Sequence, residues 1–418
     1  MRYIVRSGAP LSGTVRVSGM TKNAGLKQMA AALLAPGTTV LRNVTPVADL
    51  DVMIDLLRPI GATVEWVKPD ALSIDVARRL EPEAPYELVS QLRASINVLG
   101  PLLARAGTAR VAMPGGDNIG SRKLDMHFAA LEAMGAELDV VHGYIEARCN
   151  ALCGARVVLE FPSVGATETV LTTAVVAKGE TVIENAAREP EVSDLASLLS
   201  AMGAHIEGAG TSTITIEGVD ELRPVEHTIV GDRVEAGTLV MACGAAGGAI
   251  DIEGISLEHL ETVVRKLVEM GMDITPTPDG LRVRSDHRLS AVDLQTLPFP
   301  GFATDFMPQA VALLATAHGT AIVTENIFDS RYAFVDELNR MGADVRTEGR
   351  HAVVRGVERL SGAPVRALDV RAGAALVLAA LSAEGETTIL EPHHVERGYA
   401  DLPAKLRALG ADIERVDA

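Results

Sequence analysis

Met270-Gly271-Met272-Asp273-Ile274 is one copy of a phrase that recurs along this chain of 418 residues. The phrase consists of an apolar residue, a glycine, a residue that is usually small, any residue, and then a β-branched residue or leucine. The other copies are residues 60–64, 134–138, 202–206, 341–345 and 409–413. Their glycines are separated by 74, 68, 68, 71 and 68 residues, which indicates six copies of one structural unit.

Each phrase comes at the end of an amphipathic segment. Between Ser256 and Met270 the apolar side chains recur at helical spacing, with charged side chains between them. The glycine that follows is typical of a helix C-terminus, where the left-handed conformation disfavours a Cβ. Two strands are predicted next, at residues 273–275 and 281–284.

A second kind of helix precedes each amphipathic one. Residues 307–315 and 373–381 are apolar almost all round and rich in alanine, which predicts helices buried on every side. Strands follow at residues 321–324 and 388–390. The unit therefore reads as strand, buried helix, strand, surface helix, strand, strand. We expect an α/β fold with three units in each of two domains, the sheets outside and the alanine-rich helices inside. A solenoid is less favoured, because its repeats usually span roughly 20 to 50 residues.

Composition limits the classes of function. A formal net charge of −17 and 3% aromatic residues argue against a nucleic-acid-binding protein, which needs basic and stacking side chains. A local cluster of arginine and lysine still permits a small anionic ligand.

The number of cysteines and the length of the apolar runs indicate the cellular compartment and bear on cofactors. Three cysteines favour a reducing compartment over a disulfide framework, and Cys149 and Cys153 are expected to be buried and not metal ligands. Residues 1–6 lack the apolar core of a signal peptide, and no uncharged run reaches the ~18 residues of a membrane span. We therefore expect a cytoplasmic protein, without a metal or another cofactor and not bound to a membrane.

Several short phrases resemble those of the enolpyruvyl transferase family, the inside-out α/β barrel enzymes. They are residues 22–24, 93–96, 114–122, 163–167, 184–191, 304–305, 369–372 and 397–399. The resemblance covers essentially the whole chain and favours the branch that acts on a uridine nucleotide sugar. It implies one domain of residues 1–21 plus 232–418 and another of residues 22–231, with a mobile glycine-rich loop near 114–122 and the active site between the domains.

The resemblance also implies the substrates: phosphoenolpyruvate and the 3-hydroxyl of the nucleotide sugar, with phosphate released. Two anions in one site demand several cations. The family's phosphoenolpyruvate ligands match Lys22, Asn23, Arg122, Arg331, Arg371 and Arg397, of which Arg331 and Arg371 would clamp the carboxylate. The nucleotide-sugar ligands match Arg93, Arg122, Lys123, Leu124, Asp125, Met126, Ser163, Val164, Gly165, Asp305 and Ile327.

The family's catalytic groups match Asp117, Asp305, Lys22, Arg397 and Asp369. The reaction needs a general acid at C3 of phosphoenolpyruvate and a general base at the sugar hydroxyl. Most members carry cysteine where this chain has Asp117, and we expect Asp117 to be the acid, although an aspartate also suits a turn. Asp305 is the expected base, and an N-cap role for the helix near Met307 is compatible with it.

Some positions depart from the family's pattern. An additional residue stands at Met20-Thr21, Lys123 replaces a proline, Asn97 replaces a residue that is often aromatic, and Phe161 stands where some members have lysine. These departures leave two alternatives open. One is enolpyruvyl transfer to another uridine nucleotide in specialised metabolism. The other is a catalytically weak paralogue that binds the nucleotide sugar. The oligomeric state is left undetermined.

Overall fold

The structure is a computed structural model that describes residues 1–117 and 119–417; Asn118, which belongs to the glycine-rich phrase, and Ala418 lie outside the described residues. The chain divides into two compact units. Unit 1 contains Met1–Ser18, residues 119–121 and residues 231–417, and unit 2 contains Gly19–Asp117 and Arg122–Val230.

The strands are numbered in chain order. The first are β1 (Arg2–Arg6), β2 (Leu11–Arg16), β3 (Gly37–Arg42), β4 (Ala62–Lys68), β5 (Ala71–Val76), β6 (Glu83–Ala84), β7 (Thr108–Ala112), β8 (Glu137–Val141), β9 (Tyr144–Arg148), β10 (Arg156–Val158), β11 (Glu180–Glu184), β12 (His205–Glu207) and β13 (Thr213–Glu217). The others are β14 (Glu226–Thr228), β15 (Gly248–Glu253), β16 (Asp273–Thr277), β17 (Gly280–Ser285), β18 (Leu294–Gln295), β19 (Thr320–Thr324), β20 (Asp344–Glu348), β21 (His351–Arg355), β22 (Leu360–Ser361), β23 (Pro364–Arg366), β24 (Ala383–Glu384), β25 (Glu386–Leu390) and β26 (Asp412–Val416).

The α-helices are α1 (Leu26–Ala32), α2 (Ala48–Ile60), α3 (Tyr86–Val89), α4 (Leu99–Ala106), α5 (Asp125–Ala133), α6 (Val164–Ala174), α7 (Pro190–Ala201), α8 (Arg233–Ala246), α9 (Glu261–Glu269), α10 (Met307–Leu314), α11 (Val335–Arg340), α12 (Val370–Leu381), α13 (His393–Glu396) and α14 (Leu402–Ala408). Three 3-10 helices, Arg93–Val98, Leu257–His259 and Thr304–Phe306, and a wider π-helical turn, Thr21–Gly25, add to them.

The strands repeat one pairing pattern. Within the described residues they form six four-stranded sheets and a two-stranded sheet of β22 and β24. In every four-stranded sheet one edge strand pairs in parallel with its neighbour, and the remaining pairs are antiparallel, as in β18-β19-β21-β20. The N-terminal strand β1 lies between β25 and β26, so that it supplies the last strand of the sixth copy. The predicted six βαβαββ units are therefore present, three in each unit of the fold.

The alanine-rich helices form the centre of each unit. In unit 1, α8, α10 and α12 pack against one another, and every residue of α10 and α12 is buried. In unit 2, α4 packs on α6, while α1 packs on the 3-10 helix Arg93–Val98. Small alanine side chains let these backbones approach closely at native packing density.

The amphipathic helices end as predicted. The glycine of each phrase has a positive φ, for example +111° at Gly271 and +88° at Gly342, which is the left-handed conformation expected at a helix C-terminus. The helix predicted over residues 256–270 is interrupted: a 3-10 turn covers Leu257–His259, and α9 begins at Glu261. Leu260, with φ −129° and ψ 5°, separates the two segments.

Two further expectations concern membranes and cysteines. Within the described part of the chain, no helix combines the length and the apolar character required to cross a bilayer. The cysteine prediction is wrong for Cys153, which is exposed, and Cys149 is only partly buried. Both lie on the segment that leaves β9 for the next repeat, where the chain runs over the surface. Cys243, in the central helix α8, is buried.

Candidate active site

Lys22 lies in the π-helical turn that precedes the central helix α1 in unit 2. Its Nζ contacts the Oδ2 atom of Asp49, which comes from the first turn of α2 and is only 2% exposed. The neighbouring Asn23 accepts a hydrogen bond from Lys27 Nζ on its backbone oxygen, at 2.6 Å. The ammonium group of Lys22 is therefore held near the N-terminus of α1 by the carboxylate of Asp49, which the sequence analysis did not identify.

The glycine-rich loop passes directly over Arg93. A Cβ on Gly115 would collide with the backbone oxygen of Ser90, and a Cβ on Gly116, where φ is +113°, would lie 3.0 Å from Cβ of Arg93. Only glycine permits this approach. Asp117 follows, half-buried, and its backbone oxygen accepts a hydrogen bond from Nη2 of Arg122 at 3.0 Å.

Arg93 and Arg122 form a pair of neighbouring cations. The Nη2 atom of Arg93 contacts the backbone oxygen of Arg122. Burial first, and then the charge of Arg122, lower the pKa of Arg93 to about 10. Among the described residues no carboxylate forms an ion pair with Arg93. A crowded, partly desolvated pair of guanidinium groups favours binding of an anion.

Gly165 lies at the N-terminus of α6, next to a histidine that the sequence analysis missed. Ser163 caps this helix by accepting a hydrogen bond from the backbone N–H of Ala166 at 3.3 Å. A Cβ on Gly165 would stand 3.1 Å from Cε1 and Nε2 of His127. Nδ1 of His127 is 2.9 Å from Oγ1 of Thr169. Burial, and then the charge of Arg93, lower the pKa of His127 to about 4, so this imidazole is neutral at pH 7.

The remaining residues of the predicted nucleotide-sugar set in unit 2 lead into or begin a helix. Lys123 is exposed and Leu124 is buried, just before α5. Asp125 begins α5, and its side chain accepts a hydrogen bond from the backbone N–H of Met126 at 2.9 Å. Val164 is the first residue of α6.

Asn97, one of the departures from the family's pattern, has a structural partner. Its Nδ2 donates a hydrogen bond to Oε2 of Glu168 at 2.9 Å, and Lys27 Nζ lies 3.2 Å from Oε1 of the same carboxyl group. Glu168 is fully buried in α6, which raises its pKa in spite of these partners. Asn97 thus completes a buried polar tie between the central helices of unit 2.

In unit 1, Asp305 lies between two buried arginines. Nη2 of Arg331 is 3.2 Å from Oδ1 of Asp305, and Nη2 of Arg371 is 3.4 Å from Oδ2. Asp305 does not hold the N-cap position considered for it: it lies within the 3-10 turn Thr304–Phe306, whose N-cap is Ala303, and the N-cap of α10 is Phe306. Its carboxylate faces the two guanidinium groups and forms charge-assisted ion pairs with them.

This cluster carries more donors than Asp305 uses. Within residues 1–117 and 119–417, Nε of Arg331 and Nη1 of Arg371 are buried without a hydrogen-bond partner. Burial alone would raise the pKa of Asp305, but the charges of Arg371, Arg331 and Arg233 outweigh it and hold that pKa well below its usual range. Two buried donors left over beside an ionised carboxylate favour the binding of a second anion, because unsatisfied buried donors are costly.

Arg233 was not identified from the sequence, although it begins the central helix α8. Asp232 caps α8 through hydrogen bonds from the N–H groups of Val234 and Glu235, at 2.8 and 3.1 Å. Burial raises the pKa of Asp232 to about 6, although the charge of Arg371 opposes this. Asp369 caps α12 in the same way, accepting from Arg371 and Ala372. An alignment of the repeats would have placed Asp232 opposite Asp369, and this was the available signal.

Ile327 is held by Glu325, which the sequence analysis did not single out. Oε1 of Glu325 accepts hydrogen bonds from the N–H groups of Ile327 and Phe328 at 2.7 and 3.0 Å. Oε2 accepts from the hydroxyl of Thr304, the neighbour of Asp305, at 2.8 Å. One buried carboxylate therefore fixes both the segment of Ile327 and that of Asp305.

Arg397 is half-buried and directly follows α13 in unit 1. The structure thus brings the predicted residues together in two groups. In unit 1, Asp305 is in direct contact with Arg331 and Arg371. In unit 2, Arg122 is in contact with Arg93 and Asp117. His127 lies close enough to Arg93 to feel its charge, and it packs against Gly165. The described residues contain no group of three or more histidine, cysteine or carboxylate side chains placed to hold a metal.

Comparison with known proteins identifies the family. The chain matches the model of the EPSP synthase (3-phosphoshikimate 1-carboxyvinyltransferase) family over residues 5–406. The UDP-N-acetylglucosamine 1-carboxyvinyltransferase of Corynebacterium jeikeium is 51% identical over 414 residues, 99% of each chain. Proteins of the same name from Mycobacterium tuberculosis, with 99% of each chain covered, and Myxococcus xanthus, with 100% of each covered, are 50% and 49% identical.

Solved structures give the same result for the fold. The enolpyruvyl transferase NikO of Streptomyces tendae superposes with a TM-score of 0.89 at 26% identity, covering 99% of this chain and 98% of that one. EPSP synthase of Acinetobacter baumannii has a TM-score of 0.77 at 20% identity over the full length of both chains, which speaks for the fold alone. The chain therefore belongs to the EPSP synthase family and, within it, to the UDP-N-acetylglucosamine 1-carboxyvinyltransferases.

Proposed function

We propose that this chain transfers the enolpyruvyl group of phosphoenolpyruvate to the 3-hydroxyl of UDP-N-acetylglucosamine and releases phosphate. This is the first committed step of peptidoglycan precursor synthesis and so belongs to cell wall biogenesis, cell shape and cell division. Full-length relatives at about half identity carry the name of this activity. The structural observation that carries the proposal is the buried Arg331–Asp305–Arg371 cluster with its two spare donors.

Phosphoenolpyruvate would be bound through both of its anionic groups. Arg331 and Arg371 supply planar forks that suit the carboxylate. Lys22, Arg122 and Arg397 bind the phosphate, and Asn23 assists them. Lys22 would give up part of its contact with Asp49 when the phosphate arrives, because a doubly charged phosphate competes well for an ammonium group.

The nucleotide sugar would be bound by the second set. Ser163, Val164 and Gly165 offer the N-terminus of α6 to the diphosphate, and a helix N-terminus favours an anion. Arg93 and Arg122 add charge, and the segment Lys123–Met126 lines the nucleoside. Ile327 packs on the sugar.

The chemistry is an addition followed by an elimination. The sugar O3 bonds to C2 of phosphoenolpyruvate, its proton passes to Asp305, and C3 gains a proton from Asp117. The tetrahedral intermediate then returns a C3 proton to the carboxylate of Asp117, the C2–O bond to phosphate breaks with its electron pair leaving on the phosphate, and the C2–C3 double bond of the enol ether forms. Lys22 and Arg397 assist catalysis by stabilising the negative charge of the departing phosphate. Asp369 assists indirectly, because it caps α12 and so holds the backbone of Arg371 in place.

The reaction would take place in the cytoplasm, with small molecules as partners and without a cofactor. The three cysteines of the chain are free thiols, in keeping with a reducing compartment.

Phosphate release from phosphoenolpyruvate tests the proposal, with UDP-N-acetylglucosamine and uridine monophosphate as alternative acceptors. We expect release with the nucleotide sugar alone, together with an enolpyruvyl ether detected by mass spectrometry. Arg371→Ala should lower kcat/KM by at least about 100-fold. Arg366→Ala, which removes an exposed arginine paired with Glu391, should have no effect. Absence of product with UDP-N-acetylglucosamine refutes the proposal.

The two alternatives have less support. Asn97, one of the positions that motivated them, has a role within the core of unit 2 and so says little about the acceptor. Release with uridine monophosphate but not with the nucleotide sugar would favour the first alternative. Binding of the nucleotide sugar without turnover would favour the weak paralogue.

A further inference from the structure

A buried polar cluster joins the three central helices of unit 1. The hydroxyl oxygens of Tyr399 and Thr238 are 2.9 Å apart, and Thr238 belongs to α8. Nε2 of Gln309, on α10, lies 3.2 Å from the hydroxyl of Tyr399 and 3.3 Å from that of Thr238. Tyr399 and Gln309 are at most 1% exposed. None of these three side chains belongs to the substrate-binding sets described above.

The hydrogen-bond directions in this cluster follow from counting protons. Thr238 donates its single hydroxyl proton to the backbone oxygen of Val234, at 2.8 Å. The proton between Thr238 and Tyr399 must therefore come from the tyrosine. The oxygen of Tyr399 is left with acceptor capacity only, and Gln309 uses part of it. The cluster thus fixes the ring of Tyr399 through bonds to two helices.

The third helix contributes Arg371. Cζ of Arg371 lies 5.3 Å from the centroid of the Tyr399 ring, within the range of a cation–π interaction. The other side of Arg371 is bound to Asp305, and Asp369 caps its backbone. The guanidinium group is therefore held between a carboxylate and a ring that cannot rotate freely.

The cluster is kept at a cost. Within the part of the chain that the structure describes, Oε1 of Gln309 is buried without a hydrogen-bond partner, as is Nη1 of Arg371. A buried polar group without a partner destabilises the fold, and apolar residues of similar volume would avoid that cost. Stability therefore does not explain why polar side chains lie in the middle of three alanine-rich helices.

We infer that Tyr399, fixed by Thr238 and Gln309, is a positioning residue that orients Arg371 for the carboxylate of phosphoenolpyruvate. The inference rests on the proposed function. Tyr399 touches neither substrate: it sets the plane of the guanidinium group, so that the spare donor points away from Asp305 and is available to a second carboxylate. A freely rotating guanidinium would lose the ordered fork that makes arginine effective in binding carboxylates.

Steady-state kinetics of Tyr399→Phe and Thr238→Val test this inference. Each removes a hydroxyl and keeps the size of the side chain. We expect KM for phosphoenolpyruvate to rise roughly five- to tenfold in each variant, the effect of one lost hydrogen bond. KM for UDP-N-acetylglucosamine should change by less than about twofold, because Arg371 serves only the other substrate. KM for phosphoenolpyruvate in the double variant should be about the same as in either single variant, because both substitutions remove the same hydrogen bond.

Thr172→Val is the matched control. Thr172 lies in the central helix α6 of unit 2, is buried, and donates its hydroxyl proton to the backbone oxygen of Glu168 at 2.9 Å, as Thr238 does to that of Val234. It has no tyrosine partner among the described residues. This variant should lower Tm about as much as Thr238→Val and leave both KM values unchanged.

The possible outcomes separate the inference from the proposed function. If the unmodified chain makes no enolpyruvyl product, the proposed function fails. If it is active and both hydroxyl variants retain the KM for phosphoenolpyruvate while Tm falls, the cluster is structural only and the inference is overturned. If Tyr399→Phe fails to fold, Thr238→Val alone decides, because its rise in KM is expected in a folded protein.

Discussion

Asp305 pairs with Arg331 and Arg371, and an anion that bound next to it would share these two arginines with it. In the structure its carboxylate occupies one donor of Arg331 and one of Arg371, and these charges keep its pKa well below the usual range. A carboxylate held in this way is a weak base. A second carboxylate on the same arginines would share their charge and raise the pKa of Asp305. The base would thus become effective only when phosphoenolpyruvate is present.

Asp305→Asn separates binding from chemistry. We expect phosphate release to fall by at least about 100-fold, because the base is lost. The Kd for phosphoenolpyruvate should decrease by roughly tenfold, because the arginines are no longer neutralised by an internal carboxylate. Calorimetry in the presence of the nucleotide sugar measures this. Asp293→Asn is the control, since Asp293 is exposed, belongs to none of the substrate-binding sets and accepts a hydrogen bond from the N–H of Ile322 in β19. Weaker binding in Asp305→Asn would contradict the competition.

Asp117 predicts the response to fosfomycin, an epoxide that alkylates the cysteine found at this position in most of the family. A carboxylic acid is a much poorer nucleophile than a thiolate, so the epoxide should leave the activity of this chain unchanged. Asp117→Cys should become sensitive and gain the mass of the inhibitor. Incubation followed by mass spectrometry compares the two proteins. A covalent adduct on Asp117 itself would refute the prediction.

Site residues were predictable where a family phrase marks them. Asp305 and Arg371 were named from such phrases, and Arg331 from the family resemblance outside them; both arginines are in contact with Asp305. Arg233 and Glu325 were not named, because the sequence around a single charged residue does not reveal that its side chain is buried. Both act on residues far from them in the sequence. The charge of Arg233 lowers the pKa of Asp305, and Glu325 accepts hydrogen bonds from two separate segments.

At the scale of single elements, the N-terminus of α6 is the proposed diphosphate-binding turn. Ser163 caps it, and the missing side chain of Gly165 lets His127 pack against the backbone there. The imidazole is neutral because it is buried near Arg93. The positions of Ser163 and Gly165 were predicted, but His127 was not, since a histidine in a helical segment is most often an ordinary core or surface residue.

The low pKa of His127 predicts a pH dependence of stability. The unfolded chain takes up a proton on this histidine as pH falls below 6.5, whereas the folded chain does so only near 4. The free energy of unfolding should therefore decrease by about 2 kcal/mol between pH 6.5 and pH 5 through this residue. Asp232, with its pKa raised to about 6 from 3.8, acts in the opposite direction, so the comparison must be made with a variant.

His127→Gln provides that comparison. Denaturant unfolding at pH 7 and pH 5 should show a smaller loss of stability in the variant than in the unmodified chain, by roughly 2 kcal/mol. His205→Gln, which changes an exposed histidine in β12, should show the same loss as the unmodified chain. Equal losses in all three proteins would contradict the assignment.

At the scale of the whole molecule, each unit has its own core and its own polar tie. Lys27, Asn97 and Glu168 join the central helices of unit 2, and Thr238, Gln309 and Tyr399 join those of unit 1. The six repeats and their buried helices were predictable from the glycine spacing and the alanine-rich segments. The polar ties were not, because they form between residues that are far apart in the sequence and are not repeated in kind.

Glu168→Leu tests the independence of the units. Removing this acceptor leaves Lys27 and Asn97 without it, at a cost of roughly 3 kcal/mol. Hydrogen exchange should speed up in β11 and β13 of unit 2 and change little in β19 and β21 of unit 1. Glu132→Leu, on the exposed face of α5, is the matched control and should alter neither set. Equal acceleration in both units would show a single cooperative core instead.

The cysteines give this chain a practical advantage for spectroscopy. Cys243 is buried, which raises its pKa to about 12, and Cys149 is partly covered, so Cys153 is the accessible thiol. It lies on the connection between β9 and β10, outside every substrate-binding segment named above. A maleimide dye should therefore attach at one place and leave turnover intact, which members of the family with a thiol on the glycine-rich loop do not allow.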